Sequence, residues 1–374
     1  MSTIQEDFQL VLISTLLFLV FSSSCDAQPF RRCKFDSIYQ LGDSISDTGN
    51  LIIESSLGAA TPCSRLPYGE TFFNEPTGRC SNGLLMIDHV ALEAGLPFLN
   101  PYLKKDSDFS HGVNFAVTGA TALSTSFLAA KGVISPVTNS SLNVQLDRMS
   151  SFFSSAFHND TDRAQELKDA LFLVGEIGGN DFNFAFFQGK TIEEEKSIVP
   201  DVVQIISDAV RRVIQYGARR VVVPGNFPIG CLPIYLTVFK TNNTAAYDEF
   251  NCLKGFNDFA EYYNERLQQA IEELRNENPD TVIVYADYYN AFQWLFRNAL
   301  FLGLDPASLL KACCGAGGEY NYDRARTCGA PGVQACPDPD RLVHWDGIHL
   351  TQKASMLIAK WLIQDILPKL QCNA

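Results

Sequence analysis

The stretch "FDSIYQLGDSISDTGN", Phe35 to Asn50, is apolar through Phe35, Ile38, Tyr39 and Leu41 and then turns small and polar. Ser44 stands at that boundary. A serine hydroxyl is a weak nucleophile until a neighbouring base takes its proton, so chemistry at Ser44 requires an imidazole, itself oriented by a carboxylate. The chain holds five histidines: His89, His111, His158, His344 and His349. In "VHWDGIHLT", Asp346 precedes His349 by three residues, so one short turn can supply both the base and the group that fixes its tautomer. His344 competes, but it precedes its nearest aspartate and needs a partner from elsewhere. His158 lies in a polar loop, and His89 and His111 have no carboxylate placed in this way. Attack on a carbonyl also requires donors for the oxyanion. Gly119 in "GVNFAVTGATA" can offer a backbone N–H with no side chain in the way, and Asn180 in "EIGGNDFN" a side-chain amide.

Each motif alone has a bland reading. Gly-Asp-Ser and Gly-Gly-Asn-Asp are common turns, and D-x-x-H is common in loops. Asp43 and Asp47 read as helix caps or turn anchors. Taken together and in order along the chain, the motifs make chance a poor explanation.

The elements that must position these residues alternate. "ALFLVGEIGGND" (Ala170 to Asp181), "RRVVVPGNFP" (Arg219 to Pro228) and "TVIVYADYY" (Thr281 to Tyr289) begin as continuous apolar runs, the pattern of strands buried on both faces of a parallel sheet. Between them, Val202, Ile206, Val210, Val213 and Ile214 recur at helical spacing before Gly217, and Phe256, Phe259, Tyr263, Leu267, Ala270, Ile271 and Leu274 before Pro279. A last helix is predicted over roughly Thr351 to Leu370. Long loops are expected between Leu51 and Phe115 and between Ala312 and Trp345. This order predicts one α/β domain, a three-layer α/β/α sandwich around a mainly parallel sheet. Gly42-Asp43-Ser44, Gly178-Gly179-Asn180-Asp181 and Pro224-Gly225-Asn226 then fall beyond strand ends, where open α/β sheets bind ligands.

Here the sequence resembles the plant GDSL-type esterases and lipases within the SGNH hydrolases. "FDSIYQLGDSISDTGN" is similar to the family's first block, "GVNFAVTGATA" to the second, "GGNDFN" to the third and "DGIHLTQ" to the last. "PYGETFFNEPTGRCSNG", Pro67 to Gly83, is typical of the plant branch. The resemblance spans essentially the whole mature chain and implies the flavodoxin-like SGNH fold. It also implies Ser44 as nucleophile, Asp346 and His349 completing a triad, and the Ser44 amide, Gly119 and Asn180 as oxyanion hole. Such a site needs no cofactor and no metal. "RCKFDSIYQLGDSISDTGN" and "VIVYADYYNAF" are similar to the sinapine and acetylajmalan esterase type, which implies a small-molecule ester of specialised metabolism, such as an acetylated alkaloid or a choline ester. Rival readings are a lipase for longer acyl chains, an acyltransferase with the same triad, and a secreted binding protein without catalysis.

The rest of the sequence bounds the setting. A formal net charge of −13 and only isolated basic pairs, Arg211-Arg212 and Arg219-Arg220, argue against a nucleic-acid partner. "LVLISTLLFLVF", Leu10 to Phe21, precedes the small, polar "SSSCDA" and reads as a signal peptide over residues 1–27, leaving 28–374 as a single domain. The run is shorter than the ~20 apolar residues of a spanning helix, so no stable membrane anchor is expected. Cleavage after Ala27 would remove one of eleven cysteines and leave an even set, as in a disulfide-bonded chain of the secretory pathway, bound for the apoplast or the vacuole. Zinc is the rival for those cysteines, but paired C-x-x-C spacings are absent. Proximity suggests Cys63–Cys80 and Cys231–Cys252; the other pairings and the oligomeric state stay open. Sequons begin at Asn139, Asn159 and Asn242.

Overall fold

In a computed structural model the described residues are 29–72 and 74–372, so the expected signal peptide lies outside them. Five strands form one sheet: β1 (Ser37–Leu41), β2 (Gly112–Asn114), β3 (Ala170–Val174), β4 (Arg220–Pro224) and β5 (Val282–Ala286). All neighbours are parallel, in the order β2-β1-β3-β4-β5, with Ile38 opposite Leu171 and Val222 opposite Val284. Successive side chains of a strand point to opposite faces. Tyr39, Leu41, Phe172, Val174, Val221 and Val223 accordingly enter one core, and Ile38, Leu171, Leu173, Val222 and Val284 the other.

The longer helices are α1 (Met86–Ala94), α2 (Leu142–Ala156), α3 (Gly179–Phe187), α4 (Val199–Tyr216), α5 (Lys254–Glu277), α6 (Tyr288–Arg297) and α7 (Gln352–Ile366). Helices α2 to α5 pack on the Tyr39 face, and α1, α6 and α7 on the Ile38 face, which makes the three-layer sandwich. Gly217 caps α4, and α5 stops two residues before Pro279. Thr351 proves to be the N-cap of α7, accepting from the Ala354 N–H, and a 3-10 turn from Leu367 to Leu370 follows the regular helix.

One local expectation needs correction. The segment between Leu51 and Phe115 is not one long loop, because it contains α1. That helix starts where the Asp88 carboxylate accepts the Leu85 N–H and holds Arg79 through two bonds of 2.7 and 2.8 Å. The same segment ends in β2, whose three residues, opened by a glycine, form no apolar run. The other long segment is irregular, as expected. Cys313–Cys336 and Cys314–Cys328 tie it down, and with Cys63–Cys80 they pack against Trp345 in a small third core. Cys231–Cys252 forms as proximity suggested, and Cys33–Cys372 joins the two ends of the described chain.

From β1 the chain crosses to β2 on one side, and from β3 it crosses to β4 on the other. The reversal leaves a crevice beyond the carboxyl ends of β1 and β3, the switch point where such sheets bind ligands. Ser44 follows β1 and Asn180 follows β3. Among the described residues no helix is long and apolar enough to cross a membrane. Asn139, Asn159 and Asn242 are exposed.

Candidate active site

The turn after β1 is built by its own acids. The Asp47 carboxylate accepts four backbone N–H groups, from Gly49, Asn50, Leu51 and Thr118, at 2.6–3.1 Å. It thereby starts the short helix Asn50–Glu54 and pulls in the Thr118 segment, with no lone pair left for acid–base work. Asp43 accepts from the Ile45 N–H and from Asn180 Nδ2, both at 3.0 Å. The Gln145 amide brackets Gly42, accepting from its N–H at 2.9 Å and donating to its carbonyl at 2.8 Å. Ser44 is therefore presented from a turn fixed on three sides.

The loop before α7 supplies the imidazole. His349 Nε2 lies 2.9 Å from Ser44 Oγ, and Nδ1 lies 2.8 Å from Asp346 Oδ2. The other carboxylate oxygen accepts the Ile348 and His349 N–H groups, both at 2.8 Å. This doubly bonded turn orients the carboxylate from within its own segment. Burial alone would raise the Asp346 pKa, but the His349 charge and these donors outweigh it and lower the value to about 2. Burial opposes the charged imidazole too, yet the Asp346 carboxylate beside it, with a smaller push from Asp43, raises His349 above its ordinary value.

The other histidines stand apart. His344 is buried against Phe292, and neither ring nitrogen has a partner among the described residues. Burial drops its pKa to about 3, so it is neutral. His111 Nδ1 pairs with the Asp36 carbonyl at the far end of the sheet, and His158 is exposed. Among the described residues, only His349 meets Ser44.

The expected oxyanion donors gather around the same turn. The Val117 N–H donates to the Gly42 carbonyl at 3.1 Å and brings up the loop that carries Gly119. Gly119 has φ +80, and a Cβ there would sit 2.6 Å from Val137, so conformation and space both require glycine. Among the described residues, the N–H groups of Ser44 and Gly119 meet no acceptor. Asn180 differs: Nδ2 gives its two protons to Asp43 Oδ2 and the Ala120 carbonyl, each at 3.0 Å. Its amide can serve an oxyanion only by exchanging one of these bonds.

Four residues around the site were not singled out from the sequence. Gln145 reaches Gly42 from α2. Asp181 accepts the Ala122 and Leu123 N–H groups at 2.8 and 2.9 Å and ties the start of α3 to the Gly119 loop. Glu176 is buried against Asp43. Burial raises both acids, Asp43 to about 6 and Glu176 well above the carboxylate range, where the Asp43 charge adds to burial. Tyr68 donates to Asp346 Oδ2 at 2.7 Å from a loop 278 residues earlier in the chain. Glu176 and Asp181 lay in "EIGGNDFN" and Tyr68 in "PYGETFFNEPTGRCSNG", stretches already noticed; nothing in the spacing signalled their contacts.

Comparison with known proteins identifies the family. The sequence model of the GDSL-like Lipase/Acylhydrolase family matches residues 38–362. Acetylajmalan esterase 1 of Rauvolfia serpentina is 47% identical over 91% of this chain and 89% of its own length. Acetylajmalan esterase 2 of the same plant is 45% identical over 96% and 98%. A GDSL esterase/lipase of Arabidopsis thaliana is 44% identical over 94% and 87%. The chain belongs to the GDSL lipase/acylhydrolase family and is a carboxylic ester hydrolase.

Proposed function

We propose that the protein hydrolyses small acyl esters of plant specialised metabolites, an acetylated alkaloid or a choline ester, through an acyl-enzyme on Ser44. The observation that carries this reading is His349, whose two ring nitrogens face Ser44 Oγ at 2.9 Å and Asp346 Oδ2 at 2.8 Å. Ser44 Oγ attacks the ester carbonyl while its proton passes to His349 Nε2. Asp346 accepts the Nδ1–H throughout and stabilises the imidazolium. The oxyanion rests on the Ser44 and Gly119 N–H groups, and Asn180 joins by releasing one of its resting partners. His349 then protonates the leaving alcohol. Water, deprotonated by His349, attacks the acyl-serine, and Ser44 recovers its proton as the acid leaves.

Two observations support a short acyl group. The space beside Ser44 is narrow, lined by Ile45, Cys80, Leu85, His349, Leu350 and Ser355. The similar proteins of Rauvolfia carry acetylajmalan in their names. Five disulfides among the described residues support passage through an oxidising compartment, with residues 1–27 as signal peptide, 28–374 as one catalytic domain and glycans at the exposed Asn139, Asn159 and Asn242.

A fluorophosphonate probe with peptide mapping tests the nucleophile, and Ser44 is expected to carry the label. kcat/KM for p-nitrophenyl esters is expected to fall as the acyl chain lengthens from acetate, with acetylated alkaloids and choline esters turned over in the next round. A preference for long chains would overturn the substrate assignment. Absence of label on folded protein would overturn catalysis through Ser44.

A further inference from the structure

Asp346 holds one hydrogen bond more than the proposed reaction requires. Its Oδ1 accepts two backbone N–H groups, and its Oδ2 accepts the His349 Nδ1–H. Tyr68 adds a fourth donor, its hydroxyl lying 2.7 Å from that same Oδ2. A carboxylate offers about four lone-pair sites, so this one is filled entirely by protein donors. It can neither rotate nor exchange a partner for water without loss.

The fold goes to some length to deliver this hydroxyl. Tyr68 lies in the loop spanned by Cys63–Cys80, is 3% exposed, and stands edge-on to Trp345 with ring centroids 5.9 Å apart. Its N–H donates to the Arg65 carbonyl at 3.1 Å, and the next residue, Gly69, donates to the Ser81 carbonyl at 2.9 Å. Three disulfides pack around the Tyr68–Trp345 pair. Trp345 directly precedes Asp346, so the frame holds donor and acceptor alike.

We infer that Tyr68 is a positioning residue for ester hydrolysis: its hydroxyl locks Asp346 and, through that carboxylate, sets the orientation and basicity of His349. The inference rests on the Ser44–His349–Asp346 reading. The phenol is a neutral donor, so it draws charge density from Oδ2 without placing a second cation near the imidazole. Asp346 consequently pulls less strongly on the Nδ1 proton, and His349 titrates lower than it would beside an unclamped carboxylate. Burial, reinforced by the Asp346 charge, pushes the phenol well above its ordinary value, so it stays a donor over the working range. The other titratable groups facing this cluster are Arg65 and Tyr322 beside Tyr68, His344 near Asp346, and Asp43 near His349. His344 is neutral, and none of them shares Oδ2.

Tyr68→Phe keeps the ring against Trp345 and removes only the hydroxyl. With p-nitrophenyl acetate, kcat is expected to fall about tenfold while KM changes less than about twofold. The acid limb of the kcat/KM profile is expected to move up by about half a pH unit. In an Asp346→Asn background, adding Tyr68→Phe is expected to cost less than about twofold further, because the clamped charge is already gone. An unmoved pH profile, or equal losses in both backgrounds, would overturn the role of Tyr68 while leaving the triad standing. Full activity of Asp346→Asn would instead sink the triad reading and this inference with it. If Tyr68→Phe fails to fold, 3-fluorotyrosine at position 68 decides the matter. Its stronger donor is expected to shift the acid limb down, and no shift would refute the clamp.

Discussion

At the scale of single residues, the site depends on one imidazole facing two ways. Ser44→Ala and His349→Ala are each expected to cost several orders of magnitude in kcat, measured on p-nitrophenyl acetate with folding checked by circular dichroism. In the proposed mechanism the base must be neutral to take the serine proton, and Asp346 raises His349 above 6.5. kcat/KM is therefore expected to rise with pH through a value above 6.5. The same shift has the opposite sign for stability. A raised histidine contributes in full below its unfolded value, and that contribution is lost as pH climbs through the folded one. Activity thus appears as part of the local stabilisation fades, and a profile already flat below pH 6 would contradict the His349 assignment. Much of this constellation was legible in the sequence, because Asp346 and His349 share a turn and Ser44 and Asn180 stand just past apolar runs. Tyr68 was not, since a contact across 278 residues leaves no local spacing to read. Nor was Asn180's engagement with Asp43 and Ala120, which depends on how two loops meet.

At the scale of elements, the loop before α7 is held from outside as well as from within. The Gly347 carbonyl accepts the Ile234 N–H at 3.0 Å from the short helix Pro233–Val238. A Cβ on Gly347 would run into the Tyr322 ring. Gly347→Ala must therefore push Tyr322 away or move Asp346 and His349. We expect it to lower kcat more than tenfold, at a stability cost of about 1–3 kcal/mol. Trimming the ring in Gly347→Ala/Tyr322→Ala is expected to restore activity relative to the single variant, as steady-state rates and thermal melts would reveal. The strands were readable because a parallel sheet covered on both faces demands unbroken runs such as Val221–Val223. β2 escaped because three residues beginning with glycine carry no periodicity, and α1 because nine residues between Gly83 and Gly95 span too few turns for a helical period to stand out.

At the scale of the molecule, burying carboxyl groups behind the Ser44 turn gives stability a definite pH dependence. Burial raises Asp43 to about 6 and Asp181 to about 7, with Glu176 shifted the same way. Acids raised on folding contribute in full below their unfolded values, near 4, and lose that contribution as pH climbs through the folded ones. Asp346, lowered to about 2, works in the other direction and weakens the fold only as pH drops below about 4. Melting temperature is expected to be higher at pH 5 than at pH 8, and Glu176→Gln should reduce the difference; a melt that rises toward pH 8 would contradict this. The pairing of Cys33 with Cys372 closes nearly the whole chain, across a separation of 339 residues, and a Cys33→Ser/Cys372→Ser variant is expected to lose roughly 2–5 kcal/mol in denaturant titrations.

That same bridge decides how the enzyme can be handled. Cys33 precedes β1, so the two ends of the described chain leave together at the amino end of the sheet, while Ser44 opens at the carboxyl end. A linker attached beside Cys33 or Cys372 would tether the protein by its base and leave the crevice on the side away from the support.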